Sequence, residues 1–312
     1  MNVILLFPGQ GSQKQGMGKD LAAAFPAARE TFQQIDDALG FPLSTLCFDG
    51  PNEELTLTKN AQPALYAHGA AAWASVRDIL TNRVVAAAGH SLGEATAHHA
   101  AGSLELGAGA KLVRKRGEIM YDIGSERPGT MAAVLGTLSM SIDSICEQAS
   151  REAGLVVPAN YNTDEQVVVS GEIAGVERAM ELAKAAGAKR AIRLSVSGAF
   201  HSPLMKPAEI AFSGAASATT FSDPEFPVYS NVTAAPCTTG ADARTLLLRQ
   251  LTSPVRWSEE VRAMAVAYPD SLYVELGPGN VLSGLVSRLV PGARTIAVGG
   301  PADIDKLAGA LG

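Results

Sequence analysis

The pentapeptide Gly89-His90-Ser91-Leu92-Gly93 constrains this chain more than any other stretch. It follows the unbroken apolar run Val84–Ala88 and leads into Glu94-Ala95, where a helix is expected to open. A short continuous apolar run bounded by turn residues reads as a strand buried on both faces. Strand, sharp turn and helix is the arrangement in which a Gly-x-Ser-x-Gly turn presents its serine above a parallel sheet. The glycines are expected to let the backbone turn sharply and lift the Ser91 hydroxyl clear of the sheet. The helix behind it offers free N–H groups and a positive field to any oxyanion that develops there. A glycine-rich turn with an incidental serine has the same local pattern, so the rest of the chain must decide.

Apolar strand-like runs alternate with amphipathic stretches at both ends of the chain. Val3–Phe7, Val84–Ala88, Val228–Ser230 and Leu272–Leu276 read as strands, and Pro63–Leu80 and Gly107–Ile123 as helices. This pattern predicts an α/β fold with a parallel sheet covered on both faces. The middle reads differently: strand Met131–Leu135, helix Ser141–Ala153, strands Leu155–Asn160 and Gln166–Ser170, helix Gly175–Ala186, strand Arg190–Val196. That β-α-β-β-α-β order is ferredoxin-like. The prediction is a large α/β-hydrolase-like domain made of residues 1–125 and 199–312, with a small ferredoxin-like α+β domain, 126–198, inserted in it.

The composition narrows the class of function. With 312 residues and 47% hydrophobic side chains, the chain can bury a sizeable core. A net charge of -6 leaves no basic excess to neutralise nucleic-acid phosphates or an anionic membrane. The three cysteines, Cys47, Cys146 and Cys237, stand far apart in no metal-ligand or redox spacing and read as free thiols of a reducing compartment. The apolar start Met1–Phe7 is short, lacks a basic leader and runs into Pro8-Gly9, so it reads as a first strand and not as a signal peptide. No apolar run approaches the ~18 residues needed to cross a bilayer. A soluble, cytoplasmic protein is expected.

A serine nucleophile needs a base, and the chain has five histidines. His90 adjoins Ser91, but neighbours on a tight turn point apart. His68, His98 and His99 lie in helical stretches. His201, in the loop Gly198-Ala199-Phe200-His201-Ser202-Pro203 after the last strand of the inserted domain, is the best candidate. A cation also stands out. Arg116 lies four residues after Leu112 and four before Met120, on the apolar face of its helix, whereas Lys111, Arg114 and Lys115 read as solvated surface. A guanidinium on a buried face needs a partner. Either a protein carboxylate meets it, or a substrate carboxylate does, held by the planar fork in bidentate fashion.

Taken together, the motifs resemble one family nearly end to end: the malonyl-CoA:acyl carrier protein transacylases, with the related acyltransferase domains of polyketide synthases. The resemblance is carried by Phe7-Pro8-Gly9-Gln10-Gly11-Ser12-Gln13, Gln62-Pro63-Ala64-Leu65, Gly89–Glu94 and Arg114–Met120. It continues through Phe200-His201-Ser202-Pro203-Leu204-Met205, Ser230-Asn231-Val232, Gln250-Leu251, Pro254-Val255-Arg256-Trp257 and Glu275-Leu276-Gly277-Pro278-Gly279. It implies a Ser91–His201 dyad, with the imidazole oriented by a backbone carbonyl at Gln250. It implies an oxyanion hole from the backbone N–H groups of Gln10 and Leu92. Arg116 is the implied clamp for the malonyl carboxylate, and Phe200 matches a position tied to malonyl over methylmalonyl preference. His90, Met120, Asn160 and Asn162 complete the implied substrate-binding set, although the two asparagines read equally well as turn formers at a strand end. His98 and His99 depart from the family pattern, which is apolar there.

The implied reaction moves a malonyl group from malonyl-CoA to the phosphopantetheine thiol of acyl carrier protein through a malonyl-serine ester, in ping-pong fashion. It needs no metal or bound organic cofactor. The expected partners are malonyl-CoA and acyl carrier protein, whose acidic surface would meet Lys184, Lys189, Arg190 and Arg193, or Lys111, Arg114 and Lys115; both clusters read equally as ordinary solvated charge. Two rival readings share the nucleophile turn: a serine hydrolase or thioesterase, which would bring an acidic triad member and no use for Arg116, and a stand-alone acyltransferase of a polyketide pathway.

Overall fold

Ten strands order the chain in the computed structural model, which describes residues 1–196 and 198–311. They are β1 Val3–Phe7, β2 Val84–Gly89, β3 Thr130–Leu135, β4 Val156–Thr163, β5 Gln166–Gly171, β6 Arg190–Arg193, β7 Val228–Tyr229, β8 Pro236–Cys237, β9 Leu272–Leu276 and β10 Arg294–Val298. Six form one sheet in the order β10-β9-β1-β2-β7-β8, parallel except at the β7–β8 edge. β1 and β9 are buried at every position, because helices cover both faces. Their alternate residues feed separate cores: Val3, Leu5 and Phe7 pack with the long helices, Ile4 and Leu6 with Trp257 and Leu285.

The other four strands form an antiparallel sheet, β4-β5-β3-β6, with helices Ile142–Glu152 and Ile173–Ala185 packed on one face. Its chain order is strand, helix, strand, strand, helix, strand. Two strand boundaries differ from the sequence reading. β4 runs on to Thr163, so Asn160 and Asn162 lie inside a strand and not in a turn. β6 stops at Arg193, and Leu194–Val196 instead line a cleft against the larger sheet. β4 also joins the larger unit directly: Tyr161 N–H donates to Val255 O at 2.9 Å, and Val255 N–H to Ala159 O at 2.8 Å.

The helix expected from Pro63 starts at Thr58 instead and runs to Leu80. Pro63 has no N–H for the Lys59 carbonyl one turn back, which would ordinarily weaken such a start. Arg114 Nη1 fills the vacancy, donating to Lys59 O at 2.9 Å and to Asn60 Oδ1 at 2.7 Å, while its Nε pairs with Glu118. Arg114 is therefore half-buried and structural rather than solvated surface.

Candidate active site

The turn between β2 and helix Gly93–Ala100 has the expected shape for a different reason from the expected one. The left-handed residue is Ser91 itself, at φ 51°. The glycines are required by close approach: a Cβ on Gly89 would lie 1.9 Å from the carbonyl carbon of Gly93, and one on Gly93 would lie 2.0 Å from Phe7 O. The turn is thus wedged between its own helix and the end of β1. A non-glycine residue in the left-handed region costs ~1–3 kcal/mol and persists only where its surroundings hold it there. Asn231 supplies the hold. Its Oδ1 accepts Ser91 N–H at 2.7 Å and its Nδ2 donates to Gly89 O at 2.8 Å, so one side chain grips the turn on both sides.

Ser91 Oγ lies 2.7 Å from His201 Nε2. His201 is itself left-handed, at φ 57°, in the loop before the short 3-10 turn Pro203–Met205. Its Nδ1 faces two carbonyls, Gln250 O at 2.9 Å and Ser253 O at 3.2 Å. Two acceptors on one nitrogen fix the proton there and leave Nε2 as the acceptor toward the serine hydroxyl. Burial, with the Arg116 charge adding to it, lowers the imidazole from 6.5 to about 3. No carboxylate among the described residues bonds to this ring.

Arg116 projects from helix Leu106–Glu126 and is 3% exposed. Its Nη1 donates to Gln62 Oε1 at 2.7 Å, and its Nη2 to Gln250 Oε1 at 2.8 Å and to Ser91 Oγ at 3.2 Å. Among the described residues no carboxylate forms an ion pair with it, so two neutral amides hold a buried cation beside the serine. Desolvation lowers its affinity for the proton only to about 10, so it stays charged. No carboxylate touches the guanidinium directly; the one nearest in the hydrogen-bond network, Glu94, is reached through Gln250.

These groups open on a cleft of ≈ 670 Å³ between the two sheets. Gln10, His90, Leu92, Met120, Phe200, Asn160 and Asn162 all line it with Ser91, Arg116 and His201; Gln250 stands behind, reaching the others by hydrogen bonds. His90 turns away from Ser91, as neighbours on a turn do, and its Nε2 meets Asn162 Oδ1 at 2.8 Å. His68, His98 and His99 are absent from the lining. His98 is wholly buried, and neither ring nitrogen has a hydrogen-bond partner among the described residues.

Several site residues were given no role in the sequence reading, although three of them, Gln62, Glu94 and Asn231, fall within the motifs that carry the resemblance. Gln62, Glu94, Asn231, Ser253 and Glu260 all belong to the network behind the nucleophile. Glu94 and Glu260 are fully enclosed, and burial raises Glu94 to about 7 and Glu260 well above its usual range. A glutamate in the first turn of a short helix is ordinarily read as a solvated charge favoured by the helix dipole. Only the position of Glu94, three residues past the serine, hinted at more. No group of three or more His, Cys, Asp or Glu able to hold a metal occurs among the described residues.

The wedged turn, the serine–imidazole contact and the parallel sheet define an acyl-transfer class of protein, and the acyl transferase domain family matches residues 4–295. The chain belongs to that family. It is 44% identical over 304 residues to the malonyl CoA-acyl carrier protein transacylase of Bacillus subtilis, covering 97% of this chain and 95% of that one. The crystal structure of an acyl-carrier-protein S-malonyltransferase from Bartonella henselae superposes with a TM-score of 0.94 at 39% identity, covering 100% and 99% of the two chains. A malonyl-transacylase in complex with a type II PKS acyl-carrier protein superposes equally well, at 0.94 and 38% identity, covering 99% and 100%.

Proposed function

We propose that this chain transfers the malonyl group of malonyl-CoA to the phosphopantetheine thiol of acyl carrier protein, supplying fatty-acid synthesis. The observation that carries the reading is Arg116: a buried guanidinium beside the Ser91 hydroxyl, held by amides and with no protein carboxylate in direct contact among the described residues. Such a charge suits a ligand that brings an anion into direct contact with it. The malonyl carboxylate is that anion, and the planar fork suits it.

In the proposed first step Ser91 Oγ attacks the thioester carbonyl while His201 Nε2 takes the hydroxyl proton. The Nδ1–H keeps donating to the Gln250 and Ser253 carbonyls, which orient the ring as an acidic triad member does elsewhere. The tetrahedral oxyanion rests on the Gln10 and Leu92 N–H groups, for Ser91 N–H is already committed to Asn231. His201 returns the proton to the departing CoA sulfur. The pantetheine thiol then reverses the sequence on the malonyl-serine ester. Gln250 orients base and cation together, while Phe200, Met120, His90, Asn160 and Asn162 shape the acyl cleft. No metal or organic cofactor takes part.

The proposed division of labour is a large α/β-hydrolase-like domain, 1–125 and 199–312, that carries the dyad, and a ferredoxin-like domain, 126–198, that closes the cleft. The β-α-β-β-α-β order and the placement of Asn160 and Asn162 in that cleft support it. No helix among the described residues is long and apolar enough to cross a membrane. The three cysteines are free, which accords with a cytoplasmic site of action. A type II polyketide pathway would use the same chemistry, and the structural neighbour bound to such a carrier keeps that reading open.

Intact-mass analysis after mixing with malonyl-CoA, acetyl-CoA or methylmalonyl-CoA tests the proposal. A malonyl adduct that forms in preference to the others, and is discharged by carrier protein faster than by water, is the expected result. Equal acetyl and malonyl loading, or hydrolysis unaffected by the carrier, would instead support a serine hydrolase.

A further inference from the structure

Behind Ser91 lie ionisable groups that the acyl-transfer steps do not use. Glu94 and Glu260 are both completely buried, on helices Gly93–Ala100 and Trp257–Ala267. A buried carboxylate survives only with donors or an opposite charge close by. Glu94 Oε2 receives Gln250 Nε2 at 2.6 Å and the Asn231 N–H at 3.1 Å. The other end of the same amide, Gln250 Oε1, accepts Arg116 Nη2 at 2.8 Å. Carboxylate, amide and guanidinium form one chain, with the amide's N–H end on the anion and its oxygen on the cation. Each link polarises the next. The other amide on Arg116, Gln62, leads to the Met120 sulfur and not to a charge.

We propose that Glu94 is the resident counter-anion of Arg116, and that the carboxylate of an incoming acyl group takes over that role while Glu94 binds one proton from solvent. The inference rests on the malonyl reading of the site. Two anions sharing one buried cation leave an uncompensated negative charge in a low-dielectric cleft, and the cheaper outcome is to neutralise the weaker acid. That acid is Glu94, which burial already raises to about 7. The proton ends on its carboxyl group, and no bond of the acyl group changes.

The charged and titratable groups that act on Glu94, or on which it acts, are Arg116, Glu260 and Cys237 on β8, and His201 bonds to the Ser91 hydroxyl. Burial and the neighbouring Glu94 charge raise Glu260 well above its usual range, the Cys237 thiol is pushed up to about 11, and His201 is held down to about 3. Glu94 is joined to Arg116 through a single amide, whereas Glu260 bonds to Asn231, so Glu94 is the carboxylate that answers a ligand's anion. Acetyl groups bring no carboxylate and leave the Glu94–Gln250–Arg116 chain intact. Glu94 touches no substrate atom, so it is a positioning residue that makes acyl selectivity depend on pH.

Calorimetric titration of the full-length Ser91→Ala chain with malonyl-CoA, in phosphate and in Tris, measures the protons taken up. Acetyl-CoA serves as the control for the phosphate groups of CoA. The expected result is uptake of a fraction of a proton beyond the acetyl-CoA value at pH 7, growing at pH 8 as more Glu94 starts ionised. The Kd for malonyl-CoA should rise toward about tenfold per pH unit above neutrality, because each binding event needs that proton. The acetyl-CoA Kd should show no such trend. Ser91→Ala/Glu94→Gln should lose both the extra uptake and the pH dependence while still binding malonyl-CoA. If that variant does not fold, the two-ligand comparison in the Ser91→Ala parent decides. Tighter binding of malonyl-CoA than acetyl-CoA with equal proton uptake would overturn the Glu94 assignment and leave the proposed function standing. No malonyl preference at any pH would overturn both.

Discussion

Replacing Arg116 by alanine separates its two possible employments, substrate clamp and internal strut. The guanidinium donates to Gln62 Oε1, Gln250 Oε1 and Ser91 Oγ. Removing it strands two buried amide oxygens, at ~1–3 kcal/mol each. That cost falls on the enzyme whatever the substrate. A malonyl carboxylate adds a bidentate, charge-assisted contact, whose individual hydrogen bonds are worth ~1.5–3 kcal/mol. Water entering the emptied space recovers part of this, so a differential loss of about 3 kcal/mol, or about 10²-fold, is the expected minimum. Single-turnover loading by mass spectrometry, with malonyl-CoA and acetyl-CoA on the same enzyme sample, supplies the ratio. Malonyl loading should fall about 10²-fold or more relative to acetyl, because misfolding and the stranded amides cancel between the two. Equal losses for both substrates would make Arg116 an internal strut and refute the argument.

Four further outcomes follow from the same geometry. Ser91→Ala should abolish the covalent adduct, and Ser91→Ala/His201→Ala should be no slower in turnover than either single variant, since the pair acts as one unit; additive losses would dissolve the dyad. Acetyl loading should show no acid limb near 6.5: the lowered imidazole stays an unprotonated base until pH approaches about 3, so a limb at 6.5 in the kcat/KM profile would contradict its burial. His98→Leu should raise the melting temperature, because it removes two unpartnered buried nitrogens at ~1–3 kcal/mol. Its folded imidazole is lowered from 6.5 to about 4, so the unfolded chain gains a proton that the folded one refuses, and the advantage of leucine should grow as pH falls from 6.5 toward 4; an unchanged or shrinking difference by thermal denaturation counts against it. Gly93→Ala should fail to give folded protein by circular dichroism, since its Cβ would sit 2.0 Å from Phe7 O; a native spectrum would show that β1 yields more than its packing allows.

Fold elements were legible where local pattern and tertiary environment agree. Val3–Phe7 and Leu272–Leu276 are continuous apolar runs because both faces of their sheet are covered. Short edge strands such as Pro236–Cys237 carry no periodicity and escaped notice. The start of helix Thr58–Leu80 was misplaced because the partner that excuses Pro63, Arg114, is 51 residues away in the chain. Asn160 and Asn162 read equally well as cleft residues and as turn formers, and the pairing of β4 with β5 puts them in a strand that lines the cleft.

For the site, the sequence by itself determined the chemistry on offer: a serine on a glycine-bounded turn, one histidine in a loop of suitable kind, and a cation out of place on an apolar helix face. Each of these is a local departure from what packing alone would select, and local departures can be read from one chain. Only the tertiary structure decided which groups meet. The carbonyls on His201, the amides on Arg116, the Asn231 grip on both sides of the turn and the chain from Glu94 through Gln250 all join residues distant in sequence. A glutamine or an asparagine looks the same in a sequence whether it faces water or bridges two buried charges. The difference lies in burial, which turns a worthless surface hydrogen bond into one the fold cannot leave unmade.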